Sequence, residues 1–469
     1  MYTIVIIGAG FSGTATAAQL LRRHGNLPLN VVLINRHPNL GRGVAYGTYS
    51  PSHLLNVPAG RMSLFPDDDG DFLRFARTGD PQITGGSFVR RSLYGDYLVI
   101  RLHEAADKAT RAKLDPTTGE VTGLQVAADG RRVKLEMADG STSEADRVVL
   151  ASGNYPPADP PLPATAVYAS RGYVRDPWAA GALDAVRSDK PVFLIGTGLT
   201  MLDVALELTR HGFSNHMFAL SRRGLLPQGH RHEIGSPLEP RVVMDLLRGG
   251  PASIRRYLRV IRLCIAELAE QGIDWRDVIG ALRPYTADLW QRLNLVERRR
   301  FLRHVQAYWD THRHRTAPAA HVELQRLLQD GTLVVKAGRL KSLTATQDDL
   351  ITVRWTPRGV GNDARVDVGV VINCTGPQSR LQALPDPLIR SLLRQGVLVP
   401  DALELGLLAD DNGALISREG NSSESIFYTG PFLKARDWEC TAVPELGIAA
   451  AKLADHLVAP LSTQPAQVA

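Results

Sequence analysis

The chain begins with a short run of apolar, mostly β-branched residues, Ile4 to Ile7, followed by a glycine-rich turn. A strand that is apolar at every position is typical of a parallel sheet covered on both faces. The spacing after the turn predicts a helix from Thr14 to Arg23, and a second apolar run predicts a strand from Val31 to Ile34. The pattern therefore indicates a β-α-β unit at the N-terminus.

The turn of this unit reads Gly8-Ala9-Gly10-Phe11-Ser12-Gly13, a Gly-x-Gly-x-x-Gly sequence in the context that dinucleotide binding requires. Gly8 permits the tight turn, Gly10 lets the backbone approach a pyrophosphate, and Gly13 allows close packing of the helix. The positive end of the helix dipole then faces the phosphates. Asn35 replaces the usual carboxylate after the second strand, and its amide can still hydrogen-bond ribose hydroxyls. We therefore expect a dinucleotide to contact Gly8, Gly10, Phe11, Ser12, Gly13 and Asn35.

A second unit of this kind begins with the apolar run Val192 to Ile195. Its turn keeps two glycines, Gly196 and Gly198, includes Thr200, and has methionine at the third glycine position. A helix is expected from Leu202 to His211 and a strand from His216 to Leu220, followed by Arg222 and Arg223. Arginines at that position are suited to a ribose 2′-phosphate, which favours NADPH over NADH, although NADH stays possible. The alternative is a pair of solvated surface arginines.

Each glycine turn is followed later by a hairpin and an apolar strand that ends in small residues. The first such strand runs from Val148 to Gly153 and the second from Val370 to Gly376. Small residues leave room for backbone to pass a cofactor, so Gly153 and Gly376 are candidate contacts. The repeat predicts an α/β fold of two nested Rossmann-like domains with β-meanders. We expect a discontinuous FAD-binding domain at 1–160 and 370–469, enclosing an NAD(P)H-binding domain at 161–369.

Between about 240 and 328 the pattern becomes helical, and no Rossmann unit needs this segment. Ile254, Leu258, Ile261 and Ile265 share one face, and Trp275, Trp290 and Trp309 are expected in a core. We expect this insertion to cover the active site. Two His/Arg clusters, at 229–232 and 309–315, contain His230, His232, His312 and His314. Interleaved arginines disfavour a metal, so we predict none; the clusters fit anion binding or a solvated helix end.

Composition narrows the class of protein further. Hydrophobic residues make up 44% and charged residues 22%, as in a soluble globular protein, and the formal net charge is +6. The arginines are scattered without interleaved aromatics, so a nucleic-acid partner is not expected. Cys264, Cys374 and Cys440 are far apart, which argues against a disulfide framework and a flavin disulfide reductase. No signal segment or membrane-spanning run is present, so we expect a cytoplasmic enzyme that does not bind membranes, with oligomerisation possible.

Four further segments carry a family resemblance: Gly41 to Gly47, His53 to Pro58, Phe88 to Leu98, and Trp438 to Leu446. In these the chain resembles two-dinucleotide-binding flavoproteins of the flavin-containing and N-hydroxylating monooxygenase type, within a bacterial FAD/NAD(P)-binding branch. The resemblance implies FAD in the first domain and NAD(P)H in the second. It also implies flavin-side contacts from Arg36, Gly43, Tyr46, Asn56, Arg91, Gly430, Pro444 and Glu445. The helix that starts near Pro444 would direct its positive end at the flavin.

The segment from Asn56 to Asp67 is similar to one in flavin-containing monooxygenases, where an asparagine before a Phe-Pro-Asp sequence lies beside flavin and nicotinamide. Asn56 is therefore the candidate catalytic residue. The alternative is an asparagine that caps the turn before Pro58.

The family resemblance also implies the reaction. Hydride would pass from NADPH to FAD, and a C4a-(hydro)peroxyflavin formed with O2 would oxidise nitrogen of a small polar substrate, such as an amine, amino acid or hydroxylamine-like compound. Two alternatives stay open. One is an NAD(P)H oxidase or dehydrogenase that inserts no oxygen, and the other is a non-catalytic dinucleotide-binding sensor.

Overall fold

The computed structural model describes residues 1–48, 50–184, 186–231 and 238–462. Its strands are β1 (Tyr2–Ile7), β2 (Leu29–Asn35), β3 (Lys113–Thr118), β4 (Val121–Val126), β5 (Val133–Met137), β6 (Thr142–Ala145), β7 (Arg147–Leu150), β8 (Tyr173–Val174), β9 (Val192–Ile195), β10 (Met217–Ser221), β11 (Leu333–Ala345), β12 (Ile351–Pro357), β13 (Ala364–Val368), β14 (Val370–Asn373), β15 (Ala414–Ile416) and β16 (Ser422–Tyr428). Its α-helices are α1 (Phe11–His24), α2 (Gly43–Tyr46), α3 (Asp71–Gly79), α4 (Arg91–Lys108), α5 (Leu199–Arg210), α6 (Pro240–Arg248), α7 (Ile254–Ala269), α8 (Trp275–Ala281), α9 (Thr286–Gln291), α10 (Leu295–Arg300), α11 (Gln306–Arg313), α12 (Pro318–Gln329), α13 (Pro387–Gln395) and α14 (Val443–Ser462). None of these described helices is long and apolar enough to cross a membrane.

The first unit is built on a sheet in the order β15-β16-β7-β1-β2-β3, in which only β15 is antiparallel. Helix α1 packs against the sheet, α4 and α14, and its alanines and leucines are buried. Gly13 makes this packing possible, because a Cβ there would lie 1.8 Å from the carbonyl oxygen of Gly8. The expected β-α-β unit is present, and its helix begins at Phe11 rather than Thr14.

The second unit is built on a sheet in the order β13-β12-β11-β10-β9-β14-β8. Strands β8, β14, β9, β10 and β11 are parallel, and the long β11 continues into an antiparallel meander with β12 and β13. A second meander, β4-β5-β6, forms its own small sheet in the first unit. The predicted α/β fold of two nested Rossmann-like units with β-meanders is confirmed.

Two predicted boundaries need correction. Strand β14 pairs with β9, with Val370 opposite Val192, so residue 370 lies inside the second sheet and does not begin the returning FAD domain. Strand β14 thus lies beside β9, which leads into the second glycine turn, just as β7 lies beside β1, which leads into the first. Helix α12 also belongs to the second unit, since Leu324 and Leu327 are fully buried in its core. Parallel β10 and β11 need a crossover helix, and α12 supplies it. The insertion therefore ends before α12, not at 328.

Helices α6 to α11 of the insertion surround a core of their own. Ile254 and Trp290 are buried in it, and Leu258, Ile261 and Ile265 pack against it, as the spacing predicted. Trp275 and Trp309 lie at its margin. Trp438 from the first unit joins this core, with its ring centroid 4.8 Å from that of Trp290. The insertion is thereby fixed against the segment that precedes α14.

Candidate functional site

The first glycine turn has the geometry that close approach of a phosphate requires. Gly8 has φ +108, and a Cβ there would lie 2.3 Å from the carbonyl oxygen of Ala151. Gly10 precedes α1 in an extended conformation, and a Cβ on it would meet only the Cα of Gly43, at 3.8 Å. The backbone is therefore open at the N-terminus of a 14-residue helix, the arrangement in which N–H groups and the helix dipole favour an anion.

The second turn repeats this geometry. Gly196 has φ +116, and a Cβ there would lie 2.4 Å from the carbonyl oxygen of Cys374. Gly198 precedes α5, and its Cβ position has no atom within 4 Å. Met201, at the third glycine position, is fully buried in the core of the second unit. The loss of the third glycine therefore leaves the phosphate-facing part of the turn intact.

The carboxyl ends of the neighbouring strands also fit a long dinucleotide. Gly430, after β16, has φ +136, and a Cβ there would lie 3.6 Å from Oγ of Ser12 in the first turn of α1. The hydroxyl of Thr429 is buried without a hydrogen-bond partner in the described part of the chain. Gly153, after β7, has φ +68 with open space at its Cβ position. The two glycines leave room for FAD at the carboxyl ends of these strands, and the unpaired Thr429 hydroxyl is available to hydrogen-bond it.

Three residues predicted to contact a cofactor, Asn35, Arg36 and Arg91, instead interact with groups of the protein. The Asn35 amide donates to the carbonyls of His37 and Asn39, at 2.6 and 3.0 Å, and its oxygen accepts from the Ala9 N–H at 3.4 Å. Arg36 forms ion pairs with Glu120 and Asp386, and Arg91 forms one with Asp203. Their contacts with a cofactor stay predictions.

A cavity of about 650 Å³ lies between the first unit and the insertion. Tyr46, Asn56 and Arg91 line it from the first unit, so the structure brings these three predicted residues together. The Tyr46 ring meets the Tyr94 ring edge-on at 4.7 Å, and the Phe11 ring stacks on Tyr94 at 6.3 Å. Thr441, Ala442 and Val443, at the start of α14, also line it. The positive end of a 20-residue helix therefore adjoins this cavity.

Asn56 is positioned by His230, in the segment between β10 and α6. The Nε2–H of His230 donates to the backbone carbonyl of Asn56 at 3.0 Å, while the Asn56 side chain makes no hydrogen bond within the described residues. Burial, followed by the charge of Arg315, lowers the pKa of His230 from 6.5 to about 4. The imidazole is therefore neutral at neutral pH and can only donate through one nitrogen.

The two His/Arg clusters meet in the structure. Gly229 and Thr316 form a parallel bridge, with the His230 N–H 3.0 Å from the Thr316 carbonyl. This bridge brings Arg231 beside Arg315, and both line the 650 Å³ cavity with Arg313 and His314. His232 lies outside the described residues. Among the described residues, no group of three His, Cys, Asp or Glu side chains is placed to hold a metal ion.

A separate cavity of about 400 Å³ contains the predicted nicotinamide-dinucleotide residues Gly198, Thr200, Arg222, Arg223 and Gly376. Arg222 is exposed and makes no ion pair within the described ranges. Arg223 instead lies over the Tyr308 ring at 5.1 Å and donates to the Arg303 carbonyl at 3.0 Å. His314 lines both this cavity and the larger one, so the two cavities adjoin.

The remaining predicted residues, Pro444 and Glu445, line a third cavity of about 630 Å³. The Glu445 carboxylate accepts two hydrogen bonds from the Arg283 guanidinium. This ion pair stands between the 630 and 650 Å³ cavities, because Arg283 lines both.

Sequence reasoning missed Arg276 and Arg283 of the insertion as cavity residues, and Asp310 and Lys434 near the nicotinamide turn. Arg276 and Arg283 occur among many arginines with helical spacing. Only the placement of the insertion distinguishes them from surface residues. Asp310 carries a signal that only burial reveals, since desolvation raises its pKa.

Residues 5–155 match the family model described as FAD-NAD(P)-binding. This match confirms FAD and a nicotinamide dinucleotide as the expected cofactors. No curated protein matches the chain in sequence.

The fold is shared with several solved structures. L-lysine 6-monooxygenase from Pseudomonas syringae is 18% identical, with a TM-score of 0.67 over 99% of this chain and 100% of that one. Ornithine hydroxylase from Pseudomonas aeruginosa is 15% identical, with a TM-score of 0.65 over 98% and 100%. Thioredoxin reductase from Lactococcus lactis is 13% identical, with a TM-score of 0.53 over 97% and 98%. The expected two-dinucleotide-domain architecture is thereby confirmed.

Proposed function

We propose that this protein is an FAD-dependent, NADPH-consuming monooxygenase that oxidises nitrogen of a small polar substrate. The observation that carries the proposal is the cavity of about 650 Å³ that Asn56 lines and the helical insertion covers. It adjoins the cavity beside the second glycine turn, so one chamber is accessible from both dinucleotide units. The two glycine turns, each with an open helix N-terminus, would hold the two pyrophosphates.

When bound, FAD would supply the redox chemistry that links NADPH oxidation to O2. The chain's own contribution is positioning. With its backbone carbonyl held by His230, Asn56 presents an unengaged amide to the cavity. That amide can donate a hydrogen bond to the reacting oxygen or accept one from the substrate nitrogen.

The start of α14 supports the flavin assignment. Thr441, Ala442 and Val443 place the positive end of this helix at the cavity wall. This partial charge stabilises negative charge that develops on a neighbouring group during reduction. The insertion lines the opposite side of the cavity, where exclusion of water by the bound substrate would strengthen the electrostatic interactions inside.

The solved structures support a reaction at nitrogen. L-lysine 6-monooxygenase and ornithine hydroxylase share this fold over nearly the whole chain. Thioredoxin reductase shares it less closely, and the three cysteines here are buried and unpaired. Burial raises the pKa of both Cys374 and Cys440, so neither is a ready thiolate nucleophile.

The experiment compares NADPH consumption, peroxide release and oxygen incorporation from ¹⁸O2 across a panel of small nitrogen compounds. The proposal expects one class of substrate to accelerate NADPH consumption, suppress peroxide and acquire ¹⁸O on nitrogen. Asn56→Ala should lower oxygen incorporation by roughly tenfold or more while peroxide release rises. Peroxide at full stoichiometry with every compound would instead identify an oxidase. FAD binding without NADPH consumption would identify a sensor.

A further inference from the structure

The 650 Å³ cavity contains many more guanidinium groups than carboxylates. Seven described arginines line it, and among its described lining residues Asp277 is the one carboxylate. These arginines are Arg61, Arg91, Arg231, Arg276, Arg283, Arg313 and Arg315. Such a concentration of positive charge in one cavity favours an anion, although Arg61 is exposed to solvent.

Five of the seven arginines have a carboxylate of the protein beside them. The pairs are Arg91–Asp203, Arg231–Asp277, Arg276–Asp274, Arg283–Glu445 and Arg313–Glu439. Arg61 and Arg315 form no ion pair with any described residue. The cavity therefore has two positive charges that the described chain leaves uncompensated.

Arg315 is the more enclosed of these two. Its Nε atom is buried without a hydrogen-bond partner in the described chain, and its guanidinium lies 5.9 Å from the Trp275 ring centroid. Nη2 of the adjacent Arg313 is buried and unpartnered as well. Burial, then the charges of Arg313, Arg276 and Arg231, lower the pKa of Arg315 to about 10. A buried donor without a partner is costly, and a bound anion would relieve that cost.

A cofactor phosphate does not account for this charge. None of the glycines of either fingerprint turn lines the 650 Å³ cavity. Arg222, which is suited to a 2′-phosphate, lies in the 400 Å³ cavity. Arg315 and Asn56 line the same chamber, and His230, which holds Asn56, is adjacent to Thr316 through the bridge. The unpaired guanidinium is therefore on the side where the substrate would react.

We propose that the substrate is acidic: a small amine or amino acid with two carboxylates, which Arg315 and Arg61 bind. This inference rests on the proposed function and specifies its substrate class. Two carboxylates match the two uncompensated guanidiniums, and the planar fork of arginine binds a carboxylate through two parallel hydrogen bonds. A basic amino acid would instead bring a further positive charge into the cavity.

The test is calorimetric binding to the FAD-loaded protein with NADP⁺, so it does not depend on turnover. The probes are L-aspartate, L-glutamate, L-ornithine and inorganic phosphate. We expect one of the acidic amino acids to bind at least tenfold more tightly than L-ornithine. Arg315→Gln should weaken that binding at least about tenfold, and Arg315→Lys should weaken it less.

Arg299→Gln is the matched control, because Arg299 is an exposed arginine of α10 in the same insertion. It should leave both binding and the melting temperature unchanged. Arg61→Gln is a second variant. It should weaken binding of the same acidic ligand, and it tests the inference even if Arg315→Gln impairs folding. Neither Arg61→Gln nor Arg315→Gln should change the affinity for NADPH.

Equal or tighter binding of L-ornithine would overturn the inference, as would acidic ligands that bind equally to both arginine variants. Phosphate that binds in an Arg315-dependent way while both acidic amino acids do not would also overturn it, in favour of a phosphate monoester. Arg315-dependent binding of an acidic amino acid without any ¹⁸O incorporation would contradict the monooxygenase proposal but support the acidic ligand. Oxygenation of uncharged or cationic amines that Arg315→Gln does not affect would support the monooxygenase proposal and contradict the acidic substrate.

Discussion

Nη2 of Arg91 lies 2.8 Å from Oδ2 of Asp203, and this ion pair joins the first residue of α4 to the helix after the second glycine turn. The two side chains are only 16% and 11% exposed. The Nε–H of Arg91 also donates to the Leu54 carbonyl at 3.0 Å, two residues before Asn56. Arg91 therefore couples the second unit directly to the segment that carries the candidate catalytic residue.

Asp203→Ala would leave the Arg91 guanidinium buried without a counter-charge. We expect the free energy of unfolding to fall by about 3 kcal/mol, because breaking a buried ion pair strands the remaining charge. Denaturant titration measures the change. Asp189→Ala is the control, since the side chains of Asp189 and Arg187 are 51% and 76% exposed, and it should leave the free energy of unfolding almost unchanged. Equal costs for the two variants would contradict the role given to Arg91.

The glycine turns offer a matched pair of substitutions. Gly8→Ala places a Cβ 2.3 Å from the Ala151 carbonyl oxygen, and Gly196→Ala places one 2.4 Å from that of Cys374. Both residues have φ above +100, where L side chains are strained. We expect Gly8→Ala to be purified without yellow colour, and Gly196→Ala to retain FAD but lose NADPH binding.

Flavin absorbance per protein and NADPH titration measure these outcomes, with circular dichroism to verify folding. A folded Gly8→Ala protein with full flavin content would contradict the assignment of FAD to the first turn. Loss of flavin from Gly196→Ala but not from Gly8→Ala would assign FAD to the second turn and NADPH to the first.

The fold was predictable from the sequence because parallel strands and glycine turns are local signals. The run from Ile4 to Gly13 specifies a buried strand, a tight turn and a helix start within ten residues, and the structure contains all three. The β14 boundary was not predictable in this way. The segment Val370 to Asn373 is apolar in either sheet, and only its pairing with β9 assigns it.

The site was predicted less completely, because it is assembled from segments far apart in the chain. Asn56 and His230 are 174 residues apart and meet through one hydrogen bond. The His/Arg clusters were visible as composition, but the bridge between Gly229 and Thr316 that turns them into one cavity wall has no sequence signal. Whether an arginine faces a carboxylate, as Arg283 faces Glu445, or none, as with Arg315, is a property of tertiary packing.

Arg222 and Arg223 are predicted to contribute unequally to cofactor choice. Arg223 is engaged with the Tyr308 ring and the Arg303 carbonyl, whereas Arg222 is exposed at the same cavity without an ion pair in the described ranges. Arg222→Gln should therefore reduce the preference for NADPH over NADH by roughly tenfold or more, as loss of a charge-assisted phosphate contact does. Arg223→Gln should have a smaller effect.

The measurement is kcat/KM for NADPH oxidation and for NADH oxidation in each variant. Two results would contradict a 2′-phosphate contact by Arg222. One is a wild-type protein with no preference for NADPH over NADH, and the other is a larger change in the NADPH/NADH ratio of kcat/KM from Arg223→Gln than from Arg222→Gln.

His230 should make the stability of the protein depend on pH in a defined window. Its pKa is about 4 in the folded chain and near its ordinary value of 6.5 when unfolded. The unfolded chain therefore binds more protons between these values. Stability is then complete above pH 6.5 and is lost as the pH falls toward 4. The difference corresponds to at most about 3 kcal/mol.

Denaturant titrations from pH 7 to pH 4 measure this loss, and His230→Gln is the comparison because its amide can still donate to the Asn56 carbonyl. The variant should show a flatter profile in that window. Glu207 and Glu439, whose pKa values are lowered to about 2 from 4.5, act in a lower window, below pH 4.5. Their contribution persists in His230→Gln, so a loss of stability between pH 6.5 and 4.5 that is identical in both proteins cannot come from His230. That result would also remove the argument that this imidazole is neutral where it holds Asn56.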